Sequence, residues 1–388
     1  MKGWFSCVLL AVLIGLPVRA GDQQLDDDQT IEAPTAAEIE DSIRRGVRFL
    51  LDRQNTNGSW GSIGGKRPFE VYAPIPGAHH AFRAAVTSMC VSALIEVGGE
   101  DAEVQAAIDR AEAWMMRELP ALRRATPDVF YNTWGHAYAI TALVKLLDRH
   151  PDDALREQRI REAIWQQIEL LERFEVIDGG WAYYDFVART RRPSGSSIGF
   201  VTATVLIALD DARRVGIPIP DRLVQRGIDS IERQRKPDFS YLYGEYLKDR
   251  PMREINRPAG SLGRSQVCNL ALRLWGDQTV TDEVVQIWLD RLFDRNGWLC
   301  IGRKRPIPHE AWFQIAGYFF YYGHYYAAGC IELLPEEDRG KYQDQMATLL
   351  IGLQEQNGSW WDFPLYDYHQ QYGTAYALMS LHRCRKTP

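Results

Sequence analysis

One phrase is written twice, three hundred residues apart: "LLDRQNTNGSW" at residues 50–60 and "LIGLQEQNGSW" at 350–360. Both keep Gln, three residues, Gly, one residue, Trp, as Gln54-Gly58-Trp60 and Gln354-Gly358-Trp360. Between them, aromatics next to turn residues recur near multiples of sixty: Trp181 in "DGGWAYYD", Phe239 and Tyr241 in "PDFSYLY", and Trp298 in "DRNGWLC". A fixed long period is the mark of stacked supersecondary units. The count is six, with no marker in the second.

Each unit has one grammar. A first helix carries charge on one face, as in "AAEIEDSIRRGVRFLLDRQ" and "PDRLVQRGIDSIERQ". A turn follows, then a loop of variable length, then a more apolar helix such as "NTWGHAYAITALVKLL" or "QQYGTAYALMSLHR". Small residues recurring through the second helices imply close backbone approach, and weak polarity all round implies burial on every side. Charged first helices outside and apolar second helices inside, six times over, predict an all-α fold: an (α/α)6 toroid of six helical hairpins over residues 36–385. A linear solenoid needs atypical capping repeats at its ends. Here the first and last units are the best copies, which suits a ring whose ends meet; a superhelical solenoid stays open as the alternative. Gln54, Gly58, Trp60, Gln354, Gly358 and Trp360 are therefore expected to fasten hairpins together.

The N-terminus reads as an export signal. One Lys, an apolar run from Phe5 to Leu16, then Val18-Arg19-Ala20 precede a polar stretch, and the run is about half of a membrane span. Residues 1–20 are expected to be a cleaved signal peptide and 21–35 a polar tail, which places the chain in the periplasm or outside the cell. No later segment is expected to span a bilayer. Loss of Lys2 and Arg19 moves the formal charge from −6 to −8, which argues against nucleic acid as a partner. Five widely spaced Cys remain, Cys90, Cys268, Cys300, Cys330 and Cys384. They form neither a disulfide framework nor a CxxC metal site and are expected to be buried thiols.

The residues Arg45-Gly46, Phe49-Leu50, Gln54, Gly58 and Trp60 resemble the QW motif of the squalene–hopene and oxidosqualene cyclases. The six-unit count resembles the α/α toroid that those cyclases share with protein prenyltransferase β subunits, over roughly residues 36–385. A full-length triterpene cyclase carries two such barrels, and this chain has room for one. The resemblance implies an isoprenoid or other amphipathic lipid, bound or transformed in a central cavity. The catalytic residues do not carry over. Hopene cyclases use an Asp-x-Asp-Asp acid at the cavity mouth; here Asp26-Asp27-Asp28 falls in the polar tail and Asp210-Asp211 at the far end of an inner helix, both expected to be solvated. Prenyltransferases bind zinc through Asp-x-Cys and a His before the last inner helix. His369 resembles that His, with His309 and Glu310 in the preceding unit. No cofactor is expected, and a His309, Glu310, His369 zinc site is the metal alternative.

In a toroid the loops from outer to inner helices open on one end, where the inner-helix dipoles converge. Loops 61–86, 182–198 and 299–314 each carry +2 and loop 240–262 carries +1, against −2 for 361–371. This cationic mouth predicts an anionic or polar-headed ligand, with peripheral membrane contact as a further expectation; no protein partner is indicated. The candidate binding residues are Trp181, Tyr183, Tyr184, Arg191, Arg192, Tyr241, Tyr243, Arg303, Arg305, Trp312 and Trp361, since aromatic faces suit cations and sugar rings alike. Candidate proton-transfer groups are Asp185, His309, Glu310, Asp362, Asp367 and His369. Asp367 with His369 leads, and Tyr72, His79 and His80 follow. His136 and His324, inside helices, are expected to be hydrogen-bonded core or cavity-wall residues. Three functions stay open: a cyclase-like isoprenoid toroid, a polysaccharide lyase or inverting glycoside hydrolase of toroid type, and a non-catalytic interaction toroid. A deep apolar cavity favours the first, and paired carboxylates about 6.5–9.5 Å apart favour the second.

Overall fold

The polar-faced segments form helices because each buries a single stripe, and four of the six are capped by a side chain. The computed structural model describes residues 33–64, 76–185, 187, 189–306 and 314–385. Thr35 and Glu38 close a reciprocal capping box on α1 (Ala36–Asp52), whose buried residues Ile39, Ile43, Gly46, Phe49 and Leu50 follow three- and four-residue spacing. Asp101, Asp153 and Thr281 cap α3 (Ala102–Glu118), α5 (Ala154–Phe174) and α9 (Asp282–Asp294) in the same side-chain-to-backbone manner. The remaining outer helices are α7 (Asp221–Gln234) and α12 (Glu336–Gly352).

The apolar segments form six inner helices: α2 (Pro76–Val97), α4 (Asn132–Leu147), α6 (Gly199–Arg214), α8 (Pro258–Leu274), α11 (Phe319–Leu333) and α13 (His369–Arg383). They pack in a closed cycle, α2 on α4, then α6, α8, α11, α13, and α13 back on α2. The chain is therefore all-α, a six-hairpin toroid, with no strand among the described residues. Close approach explains the small residues: a Cβ placed on Gly323 would stand 2.6 Å from the Cα of Gly263, so α8 and α11 touch backbone to backbone. The length and apolarity of Gly77–Val97 match those of a membrane span, contrary to the expectation that no such segment follows the leader. Its packing between α13 and α4 accounts for that composition.

The repeated phrase is a joint between neighbouring hairpins. The Gln54 amide donates to Gly58 O at 3.0 Å and to Ala107 O of the next outer helix at 2.8 Å. The Gln354 amide donates to Gly358 O and to Ser42 O, both at 2.9 Å, carrying the same joint from the last hairpin to the first. The indoles of Trp60, Trp181 and Trp360 each donate to a carbonyl ten residues back, those of Leu50, Leu171 and Leu350. Their backbone N–H groups donate to Thr87, Thr202 and Thr374 on the inner helices. Trp298 does not belong to this series. It lies 41 % exposed on a short extra helix, α10 (Asn296–Gly302), because the chain after α9 turns straight into helix instead of a Gly turn.

The thiols of Cys90, Cys268, Cys330 and Cys384 are buried and Cys300 half-buried, none of them in a disulfide. His136 and His324 are buried; Gln167 holds one at 2.7 Å, while Phe320 O and Asn296 hold the other, both at 2.7 Å. Burial pushes both imidazoles down to about 4. Asp210 corrects the expectation of solvated charge. It is 1 % exposed and bound by Arg213 and Arg214 at 2.5 and 2.7 Å, since α6 is buried to its last turn. Asp211 accepts from Thr141 Oγ1 at 2.8 Å. Residues 26–28 lie outside the described residues, as does the segment read as an export signal.

Candidate functional site

Five of the six inner helices and the loops that enter them line a central cavity of about 300 Å³. Its wall combines Phe82, Ala85, Val86 and Met89 from α2, Trp134 and Tyr138 from α4, Phe200 from α6, Phe319 and Tyr322 from α11, and Tyr372 and Tyr376 from α13. The loops add Tyr131, Tyr183, Tyr184, Tyr243, Tyr318, Phe363 and Leu365. No Asp, Glu, His, Lys or Arg lines it among the described residues. The polar groups of the wall are phenols and one indole.

The phenols are held against one another. Tyr131 and Tyr184 hydroxyls lie 3.1 Å apart, and those of Tyr243 and Tyr318 3.3 Å apart. Deeper, the hydroxyls of Tyr138 and Tyr376 meet, Tyr326 donates to Thr204 at 3.4 Å, and Tyr322 donates to Phe200 O at 3.0 Å. This belt ties α4, α6, α11 and α13 together across the axis and forms the cavity floor. Burial raises the pKa of Tyr138, Tyr322, Tyr326 and Tyr376 well above the ordinary phenol range, so all stay neutral.

One carboxyl stands directly behind the wall. Asp362 is fully buried; Tyr372 donates to its Oδ1 at 2.7 Å and the Tyr321 N–H donates to Oδ2 at 3.0 Å. Burial raises its pKa to about 6, with these hydrogen bonds acting the other way. One cation stands behind another part of the wall. Arg264 of α8 is fully buried, its guanidinium 5.6 Å from the ring centre of Tyr243 and 5.4 Å from that of Phe319.

The other candidates sort by position. Tyr183, Tyr184 and Tyr243 line the cavity. Trp181 and Tyr241 are buried in the hairpin joints instead, the Tyr241 hydroxyl donating to Asn269 at 2.7 Å. Arg191, Arg192 and Arg305 are exposed on the mouth loops, and Arg303 lies over the ring of Phe320, 5.4 Å from its centre. Trp361 is half-buried between the Lys304 ammonium at 4.6 Å and the His369 ring at 5.1 Å. Asp185 pins its own loop, accepting from Arg124 at 3.1 Å, from the Val187 N–H at 3.1 Å and from Ser194 at 3.3 Å.

Asp367 and His369 turn to different neighbours. Ser62 donates to Asp367 at 3.2 Å, while His369 Nδ1 meets Tyr366 O at 2.8 Å. The bridge between Ser62 and Asp367 fixes one backbone and the start of α13 the other, so their nearness in sequence does not become an acid–base pair. His79 packs edge-on against Tyr366 at 4.6 Å, and His80 stands 3.5 Å from Glu118. His309, Glu310, Trp312 and Tyr72 lie outside the described residues; among those described, no group of three His, Cys, Asp or Glu side chains could hold a metal. Most of the wall residues were not among the candidates argued from the sequence. Their signal was present, as aromatics near the N-termini of helices otherwise built from small residues.

Comparisons with known proteins agree on the architecture. The family model of the squalene-hopene cyclase C-terminal domain matches residues 26–247. Among solved structures, the type II terpene cyclase MstE from Scytonema superposes with a TM-score of 0.50 at 16 % identity, covering 91 % of this chain and 99 % of that one. The α-1,6-mannanase GH76A of Salegentibacter sp. HEL1_6 gives 0.55 at 10 % identity, covering 89 % and 98 %. An α-amylase from Clostridium perfringens gives 0.54 at 12 %, covering 90 % and 99 %. At such identities the likeness is one of fold. No curated protein matches in sequence.

Proposed function

Since its family model covers more than half of the chain, this protein belongs to the squalene-hopene cyclase C-terminal domain family, and from that premise we propose that its cavity receives the apolar end of an isoprenoid-like amphipathic molecule. The observation that carries this reading is the wall, built from aromatic and aliphatic side chains with no charged group among the described residues. Such a surface favours hydrocarbon by removing it from water, at about 25 cal/mol per Å². It also stabilises positive charge that develops on a bound chain, through the ring faces.

The volume bounds the ligand. The cavity of about 300 Å³ lies at the small end of the roughly 300–1,000 Å³ range of ligand pockets, room for part of a prenyl chain. A longer chain would leave through the mouth. Among the described residues the hydrolase alternative lacks its chemistry. Asp185, Asp362 and Asp367 are each engaged by other groups and none lines the cavity, whereas inverting hydrolysis needs two carboxylates facing one bond.

Titration of the full chain with farnesol, followed by native mass spectrometry and tyrosine–tryptophan fluorescence, tests the reading. One-to-one binding is expected. Ala85→Trp, which fills the cavity from α2, should weaken it at least about thirtyfold, with about 1–3 kcal/mol lost in stability to overpacking. Failure of farnesol to bind, with an α-mannoside oligosaccharide binding instead, would favour the glycan reading.

A further inference from the structure

The cavity wall hides an unbalanced charge. Arg264 is fully buried, yet no carboxylate pairs with it among the described residues. Its guanidinium donates to backbone carbonyls only: Gly260 O, Ile255 O at 2.7 Å and Tyr241 O at 3.4 Å, while its Nε has no partner. Burial lowers its pKa to about 10, which leaves it charged at neutral pH. An unpaired buried cation is costly, and a wholly structural Arg would ordinarily be paired. Here the charge lies behind two rings, those of Tyr243 and Phe319, whose other sides line the cavity. Asp362, the other buried charge beside the cavity, stands behind Tyr372 on α13. The helix between them is α11, which packs on both α8 and α13.

We infer that the cavity is electrostatically polar and orients an anionic isoprenoid, with a phosphate or carboxylate head at the loop-side wall of Tyr243, Tyr318 and Phe319 in front of Arg264 and the apolar end running inward along α13. The phenol hydroxyls of Tyr243 and Tyr318, 3.3 Å apart on that wall, are the neutral groups closest in kind to what an anionic oxygen accepts from. Positive charge behind the Tyr243 and Phe319 rings disfavours a ligand cation there. Cationic character in the bound molecule therefore belongs on the side of Asp362. This assignment rests on the cavity reading proposed above. It differs from attraction by the exposed rim arginines, because a buried charge is screened far less by salt than Arg191 or Arg192.

Four probes on the full chain separate the possibilities: farnesyl monophosphate, farnesol, farnesylamine and inorganic phosphate, each titrated at about 0.05 and 0.5 M salt. The monophosphate should bind at least about tenfold tighter than farnesol, a ratio within reach of one unit charge acting across a low-dielectric wall, and the amine more weakly than either. That ratio should hold within about threefold at the higher salt. Arg264→Met should collapse it to near unity with farnesol affinity retained, while Arg191→Glu with Arg192→Glu should leave it intact. If Arg264→Met does not fold, the salt series on the unaltered protein still decides. A preference that vanishes at high salt assigns it to the rim and overturns the inference, as does an amine that binds as tightly as the phosphate. Competition by inorganic phosphate at the affinity of the prenyl phosphate would remove the lipid from the assignment. Farnesol that binds without any head-group preference refutes only this inference, whereas failure of all the prenyl probes removes the cavity reading with it.

Discussion

At the scale of single residues, Asp362 carries a pH signature. Its pKa moves from 3.8 to about 6 because burial disfavours the anion more than Tyr372 and the Tyr321 N–H favour it. Well below pH 3.8 the carboxyl is protonated in folded and unfolded chains alike and makes no difference to stability. Above about pH 6 it is ionised in both, and only the folded state bears the buried charge. The penalty therefore develops as pH rises through this window and amounts to about 3 kcal/mol at 1.36 kcal/mol per pH unit. Asp362→Asn cannot ionise. Its own defect, an amide N–H facing the Tyr321 N–H, does not vary with pH. The variant's stability relative to the parent should thus rise by about 2 kcal/mol or more between pH 4 and pH 7 in urea denaturation, and a gap that stays flat refutes the buried, raised carboxyl. Asp362 was legible in the sequence as a candidate acid, but Tyr372 was not, because nothing in "QQYGTAY" says which tyrosine turns toward the carboxyl. Arg264 was less legible still. A basic residue in an apolar helix gives no warning that its partners are carbonyls.

At the scale of elements, the Gly turn is the joint, and its geometry separates two costs that glycine substitutions usually mix. Gly58, Gly179 and Gly358 all have φ between +84° and +94°. A Cβ on them would fall 2.2 to 2.6 Å from the carbonyl oxygens of Arg110, Arg226 and Arg45 on the next outer helix. The residue after each of these arginines is Ala111, Gly227 or Gly46, and the last two lie against the rings of Trp181 and Trp360. An Arg followed by a small residue is thus the receiving half of the joint. Sequence reading caught the donating half from "QNGSW" but saw only Arg45-Gly46 of the other, since a dipeptide is too common to stand out. The third copy was obscured because Glu175 occupies the Gln position, where it binds Arg226 at 2.5 Å. Trp298 was misplaced by spacing alone, which does not register that α10 fills the place of a turn. Gly99 supplies the control, with φ +54° and open space around it. Gly99→Ala should cost about 1 kcal/mol, the left-handed conformation alone. Gly358→Ala should cost about 3 kcal/mol or more, because the α1 backbone must also withdraw. Equal losses in the two variants, read from denaturant midpoints, would show that the contact with Arg45 contributes nothing.

At the scale of the whole molecule, the distinction between ring and rod was legible, because the two best copies of the marker sit at opposite ends of the chain. What the marker could not convey was the state of the centre, since cavity volume depends on side-chain direction in the entering loops. The ring makes a strong prediction about connectivity. The last joint runs from Gln354 and Gly358 onto α1, and Arg385 binds Glu40 at 2.6 and 2.8 Å, so the two ends of the described toroid meet. In a ring, all six junctions between hairpins exist whatever the position of the break in the chain. In a rod, a new break removes one junction, and a linker joining the old ends would have to span the whole length. A circular permutant joining residue 385 to residue 33 through about six Gly and Ser residues, and opened between Pro151 and Asp152, leaves Asp153 in place to cap α5. The opening lies in an exposed connection, where such breaks are best tolerated. The permutant should unfold in one cooperative transition within about 5 °C of the parent and bind farnesol with unchanged affinity. Two separate transitions would mean that the α13–α1 seam is weaker than the other five junctions, and that the cavity depends on chain order as well as on packing.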